Sequence, residues 1–284
     1  MSRYLQFYSL DYPGVEHVWG FVDSDAGRVF VQGFEPEASV GALLFIHGYL
    51  EHSGCQKPFI DDALARGWAV YLMDLPGHGL SDGPSCDIDD FEEYGSAASA
   101  FIDAAAARAG NPERFVAAAH STGCSALLIS LYRRGNPFQR VILGAPLIRS
   151  ASWGWAKLAM SLGGGSLREL RRGRNDDPGV RPFRFEADPL SPRVFPVHWV
   201  ASLFAWNERN RSYSGIPGPV TVIQGDRDSV VDWRYDLPYL RARIDDLEVV
   251  IVRNGTHMVF RYSDERRAAV ESVLDRYLGP LSGE

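Results

Sequence analysis

A chain of 284 residues with 45% apolar and 23% charged residues has the composition of an ordinary globular protein and the length of one large α/β domain with room for an insertion. Its net charge of −7 argues against nucleic acid as a general partner. The three cysteines, Cys55, Cys86 and Cys124, are odd in number and lack metal-ligand spacing, which predicts free thiols in a reducing compartment. Met1 to Tyr12 has no basic region leading into an apolar core, so no signal peptide is expected. No uninterrupted apolar run reaches the roughly 18 residues needed to cross a bilayer, and a cytoplasmic protein is expected.

In chain order, Glu16–Val22 and Arg28–Phe34 predict two strands joined by a hairpin turn over Asp23–Gly27. Gly41–Ile46 is a short continuous apolar run, as in a strand buried on both faces, and ends in His47-Gly48-Tyr49. Cys55–Arg66 predicts a helix stopped by Gly67, and Trp68–Met73 a second buried strand. Asp89–Ala109 is a long helix with an alanine-rich face suited to close packing on a sheet. Phe115–Ala119 predicts a strand, Cys124–Arg134 a helix and Arg140–Leu143 another strand. The alternation breaks near Leu147 and resumes with a strand at Pro219–Gln224, a helix at Trp233–Ile244, a strand at Leu247–Val252 and a closing helix at Ser263–Leu278. This pattern predicts a mostly parallel sheet covered on both faces. It divides the chain into a core of residues 1–147 and 216–284 and an insertion, 148–215, that roofs the carboxyl ends of the strands, where ligands bind in such sheets.

Ala119-His120-Ser121-Thr122-Gly123 sits between a buried strand and a helix. A serine on that sharp turn is a nucleophile elbow, and the close passage of strand and helix requires small residues two before and two after it, here Ala119 and Gly123. Ser121 needs a base, and the base an orienting acid. The strand Leu247–Val252 leads to His257, and Pro219–Gln224 leads to Gly225-Asp226-Arg227-Asp228. Both aspartates are candidates; Asp228 is preferred because it stands further beyond the strand end, where the loop can turn it toward the histidine. Two N–H donors must also meet the developing oxyanion. The backbone amide of Thr122, at a helix N-terminus, and that of Tyr49 fit those places. His47 and His78 read as structural, and nothing independent marks His120 or Cys124 as a catalyst.

These segments together resemble a known family. His47-Gly-Tyr-Leu-Glu51-His52-Ser53-Gly54 is similar to the HGxxEHSG segment of the monoacylglycerol lipase and lysophospholipase branch of the α/β-hydrolases, also grouped as serine aminopeptidase-like hydrolases. Asp74-Leu-Pro-Gly-His-Gly-Leu-Ser81, Ala119–Gly123, Gln224–Asp228 and Gly255-Thr-His257 fall at the matching places. The departures are Ala119 in place of glycine and Cys124 where glycine is common. The resemblance implies an α/β-hydrolase fold with a sheet of about eight strands and a helical cap or lid. It also implies the triad Ser121, Asp228 and His257, oxyanion amides from Tyr49 and Thr122, and esterase chemistry on acyl lipids or small esters with no metal or organic cofactor.

Within the insertion, Trp153, Trp155, Leu158, Met160, Trp199, Phe204 and Trp206 are candidates to line an acyl pocket, or alternatively to hold the cap onto the core. Arg168, Arg171, Arg172, Arg174, Arg181 and Arg184 form a basic run that could meet a phosphate head group or an anionic membrane surface, against the alternative of a solvated face. Gly163–Gly165 and Asn175–Gly179 suggest a mobile lid. The same triad could cleave an amide, a thioester or a carbon–carbon bond, or transfer the acyl group. A scaffold that only binds ligand or partner is the other class of reading. Dehalogenase and epoxide hydrolase chemistry is disfavoured, since those relatives carry aspartate where this chain has Ser121.

Overall fold

The computed structural model describes residues 1–110, 112–161, 169–171, 177–181 and 187–279. Its strands are β1 (Val15–Ser24), β2 (Gly27–Pro36), β3 (Ala42–Ile46), β4 (Ala69–Met73), β5 (Phe115–His120), β6 (Arg140–Gly144), β7 (Glu169–Arg171), β8 (Val194–Pro196), β9 (Val220–Gly225) and β10 (Leu247–Val252). Its helices are α1 (Ser2–Tyr8), α2 (Lys57–Ala65), α3 (Phe91–Arg108), α4 (Thr122–Arg134), α5 (Trp153–Ser161), α6 (Val197–Arg209), α7 (Trp233–Arg241) and α8 (Arg267–Leu278).

Eight strands form one sheet in the order β1-β2-β4-β3-β5-β6-β9-β10. The pairs β1/β2 and β2/β4 are antiparallel, and every pair from β4 to β10 is parallel. The continuous apolar runs follow from burial on two sides. In β3, Ala42, Leu44 and Ile46 face one core with α3 and α4, while Leu43 and Phe45 face the other with α2 and α8. α3 crosses α4 so closely that a Cβ on Gly95 would lie 2.1 Å from Ile129 Cγ2, which is why a glycine stands in mid-helix. On the opposite face, Trp68 Nε1 donates to the Leu278 carbonyl at 2.7 Å and ties β4 to the end of α8.

The structure changes the sequence reading in several places. The Cys55–Arg66 helix is a 3-10 turn, Ser53–Cys55, followed by α2. The closing helix starts only at Arg267. Met1 to Tyr12, for which no element is predicted, holds the short helix α1, anchored by the buried Tyr8 and Leu10. The segment between β6 and β9 is not purely helical: beside α5 and α6 it contains a two-stranded antiparallel ribbon, β7/β8.

This segment is fastened to the core at several points. Trp199 Nε1 reaches Tyr94 Oη at 3.2 Å, and Ser202 Oγ donates to the Ile88 carbonyl at 2.7 Å. Asp188 is buried where three parts of the chain meet, accepting from Tyr8 Oη of α1 at 2.6 Å, Ser191 Oγ at 2.8 Å and, as ring partner, His52 Nε2 at 2.7 Å. Arg168, Arg172, Arg174 and Arg184, Gly163–Gly165 and Asn175 lie outside the described residues, as does the side chain of Arg171.

Candidate active site

The parallel register brings the strand ends together. Ile46 of β3 is level with Ala119 of β5, and Gly144 of β6 is level with His120 and with Ile223 of β9. The chain turns at these ends, and the turns carry the candidate residues.

Ser121 sits between β5 and α4 with φ 51° and ψ −116°. A non-glycine residue holds so strained a conformation only when its surroundings fix it. Here the Ser121 N–H donates to the Gly144 carbonyl at 2.9 Å, and its own carbonyl accepts from Cys124 N at 3.0 Å and Leu147 N at 3.2 Å. A Cβ at Gly123 would come within 2.3 Å of the Ile46 carbonyl oxygen, so the elbow helix passes β3 at a distance only glycine permits. Ala119 is fully buried within β5. Cys124 is a small core residue: its thiol donates to the Ala119 carbonyl at 3.2 Å, and burial pushes its pKa well up.

Of the two acidic candidates, the structure brings Asp228 to His257. Its Oδ2 lies 2.8 Å from His257 Nδ1 and accepts from Gln224 Nε2 at 3.1 Å, while Oδ1 accepts from Val230 N at 2.8 Å and Val231 N at 3.2 Å. Burial alone would raise this carboxyl; the facing imidazole and the three other donors outweigh it and hold the pKa below the ordinary range. Asp226 stays apart, with a buried Oδ1 that has no partner among the described residues. His257 lies on the loop after β10, and its ring is 4.8 Å from that of His120, the neighbour of Ser121. Among the described residues neither Ser121 Oγ nor His257 Nε2 makes a hydrogen bond, so both atoms are uncommitted. Such contacts often tighten only when substrate is bound.

The turn after β3 lies against the serine: a Cβ on Gly48 would be 3.2 Å from Ser121 Cβ. The Gly48–Tyr49 peptide is held by its oxygen, which accepts from His47 Nδ1 at 2.7 Å and Glu51 N at 3.2 Å. His47 Nε2 accepts from Leu75 N at 2.9 Å, so the proton sits on Nδ1. Burial lowers the His47 pKa to about 4 and keeps the ring neutral. Because a trans peptide points N–H opposite to C=O, His47 fixes the direction of the Tyr49 N–H. Among the described residues neither the Tyr49 nor the Thr122 N–H has an acceptor, so two backbone donors are left open near Ser121. Asp74 braces the same region, accepting from Ser53 N at 2.7 Å and Leu80 N at 2.8 Å. His78, read as structural, donates from Nδ1 to Pro76 O at 2.9 Å and is driven to a pKa of about 3 by burial.

The sequence reading did not single out Glu51, His120 and Gln224. His120 Nε2 donates to the His257 carbonyl at 3.0 Å and its Nδ1 faces Glu51 Oε2 at 3.4 Å; the same oxygen accepts from Gly48 N at 3.2 Å. One buried pair thus links the turn after β3 to the histidine loop. Burial opposes ionisation of Glu51, but His120 and the Arg261 charge more than offset it and hold the carboxylate well below its usual pKa. The signal was present in the sequence, as His120 stands directly before Ser121 and Glu51 lies within the HGxxEHSG segment.

The aromatic candidates divide. Trp155 is 78% exposed on the outer face of α5, which corrects the pocket expectation for it. Trp206 stacks on Phe91 of α3 and holds the insertion to the core, while Trp153 packs edge-on against Phe204 and joins α5 to α6 within the insertion. Trp199 stacks 3.9 Å from the ring of Tyr49 and lies nearest the turn after β3. Met160 is half-buried in the last turn of α5.

A mostly parallel eight-stranded sheet whose β5–α4 turn carries a strained serine is the architecture of an α/β-hydrolase. More narrowly, the chain belongs to the Hydrolase_4 family, described as serine aminopeptidase, S33, whose profile matches residues 37–264. It is 23% identical over 264 residues to a monoglyceride lipase homolog of monkeypox virus, covering 89% of this chain and 95% of that one. Among solved structures it resembles a soluble variant of monoglyceride lipase from Saccharomyces cerevisiae in complex with a substrate analogue, with TM-score 0.72, 18% identity and coverage of 91% and 94% of the two chains. It also resembles a monoacylglycerol lipase of Paleococcus ferrophilus, with TM-score 0.69, 22% identity and coverage of 88% and 98%.

Proposed function

We propose that this protein is a serine hydrolase of carboxylic esters, acting on small or lipid acyl esters such as monoacylglycerols or lysophospholipids. The observation that carries the reading is the Asp228–His257 hydrogen bond of 2.8 Å, standing at the same sheet edge as Ser121 in its strained turn. Ser121 Oγ attacks the acyl carbon while His257 Nε2 takes its proton, and Asp228 stabilises the imidazolium through Nδ1. The Tyr49 and Thr122 N–H groups hold the oxyanion, and the Thr122 donor adds the positive end of α4. Collapse of the tetrahedral intermediate expels the alcohol, protonated by His257. Water, activated by the same histidine, then hydrolyses the acyl-enzyme.

Residues 148–215 act as a cap, with Trp199 and Met160 as its candidates for contact with the acyl chain. Trp155 and Leu158, exposed on one face of α5, are suited to transient contact with a lipid surface. Three buried free thiols fit a reducing, cytoplasmic compartment, and no helix among the described residues is long and apolar enough to cross a membrane. The test is hydrolysis of p-nitrophenyl esters of rising acyl length by the wild type and by Ser121→Ala. Activity confined to the wild type, with a length optimum, supports the reading; equal activity in both contradicts it.

A further inference from the structure

The histidine loop is not held by the core alone. Residues 177–181, a stretch of the insertion, lie along it like a third edge. Asp177 Oδ2 accepts from the hydroxyl of Thr256, the residue directly before His257, at 2.7 Å. The same carboxylate takes both guanidinium nitrogens of Arg266, at 2.7 and 2.8 Å, and Arg266 also reaches the Asn254 carbonyl at 3.3 Å and the Asp264 carboxylate. The backbone follows suit: Arg181 N donates to the Arg261 carbonyl at 2.7 Å, Ser263 N donates to the Gly179 carbonyl at 2.9 Å, and Val180 forms a bridge with Tyr262. A Cβ on Gly179 would fall 1.9 Å from both Arg266 Nη2 and Asp264 Oδ2, so the stretch lies flush on that ion pair. The Arg266 side chain is only 8% exposed, and this pair is a buried contact rather than a surface one. On the core side, the loop is held by Arg227 N to the Gly255 carbonyl at 2.8 Å and by Tyr262 Oη to the Thr256 carbonyl at 2.6 Å. Those bonds fix the loop's backbone; among the described residues only Asp177 bonds the side chain of Thr256.

We infer that Asp177 is a positioning residue, contributed by the insertion, that fixes the His257 loop through Thr256 and Arg266 and so makes the placement of the catalytic base depend on how the insertion is seated. The inference rests on the triad reading above. It explains why a carboxylate, a hydroxyl and a guanidinium from three separate parts of the chain converge one residue from the histidine.

The experiment compares the full-length wild type with Thr256→Val, Asp177→Asn, Asp177→Ala and the Thr256→Val/Asp177→Ala double variant. Three quantities are read: kcat and KM on p-nitrophenyl butyrate, the rate of fluorophosphonate labelling, and amide hydrogen exchange of the peptide spanning residues 253–262. Asp177→Ala is expected to lower kcat and the labelling rate by about 10- to 100-fold with KM within about twofold, as for a misplaced catalytic group. Thr256→Val should fall less, Asp177→Asn should recover part of the loss, and the double variant should be no worse than Asp177→Ala, because one interaction is being removed twice. Exchange of the 253–262 peptide should quicken in step. If Asp177→Ala does not fold, Thr256→Val and Asp177→Asn carry the comparison. Variants that melt earlier yet keep wild-type kcat, labelling rate and loop exchange would overturn the inference. A wild type that is never labelled, with loop exchange still quickened by Asp177→Ala, would count against the triad and leave the brace standing.

Discussion

At the scale of single residues, the account rests on what each neighbour does to a proton or a peptide. Asp228 has all its acceptor sites filled and is held ionised, so it can serve only as an acceptor for His257. Asp228→Asn offers the wrong group to Nδ1, and kcat on a p-nitrophenyl ester should fall by about 10⁴-fold, as in other triads of this type; a loss under tenfold would return Asp226 to consideration. His47 acts through the Gly48–Tyr49 peptide. His47→Ala should cost on the order of 10²-fold in kcat with little change in KM, since the interaction it orients forms only with the oxyanion. An increase in KM alone would mean that the peptide is held by other groups. At Ala119 the prediction is neutral for chemistry: Ala119→Gly should leave kcat unchanged and cost about 0.5–1 kcal/mol in urea unfolding, from the greater freedom of glycine in the unfolded chain. A gain in kcat would show that the methyl group constrains the elbow.

Among elements, legibility in the sequence followed burial. The strands β3, β4, β5 and β9 are buried along their length, so β3 and β4 are apolar throughout and β5 and β9 mostly so, and their positions could be read directly. The turns at their ends carry small or special residues for steric reasons, which is why the elbow, the His47–Tyr49 turn and the Asp228 and His257 loops could be named beforehand. α1 was missed because its seven residues bury only Tyr8, too little to impose a period. The insertion was the least legible. Its tryptophans are of one residue type but serve opposite ends: Trp206 is 1% exposed and Trp155 is 78% exposed, and no local pattern distinguishes a residue that packs on α3 from one that faces water. The exposed face of α5 carries its own prediction. Trp155→Ala together with Leu158→Glu should weaken co-sedimentation with phosphatidylglycerol vesicles while leaving kcat on a short soluble ester unchanged. Unaltered vesicle binding would remove α5 from any lipid contact.

For the whole molecule, the buried carboxylates join the catalytic architecture to stability. Asp228, Asp177, Asp188 and Glu51 are each held below their ordinary pKa by hydrogen bonds and facing histidine or arginine side chains, against the opposing effect of burial. A depressed folded-state value contributes stability above the unfolded value of about 4, and that contribution is lost as pH falls through the folded value. Asp236 has the opposite sign: burial raises its pKa, so its contribution is present below about 4 and withdrawn as pH rises. With four groups against one, and with those four joining the insertion, α1 and the histidine loop to the sheet, Tm should begin to fall below about pH 5 and keep falling as pH is lowered to about 2. A Tm that is flat across that range would mean these carboxylates are not paired as described. The central claim is that this fold activates Ser121, and intact mass after incubation with a fluorophosphonate, beside a Ser121→Ala control, tests it most directly. The account predicts a single adduct on the wild type and none on the control. A folded wild type that stays unmodified, with or without detergent, or a control modified to the same extent, would contradict it.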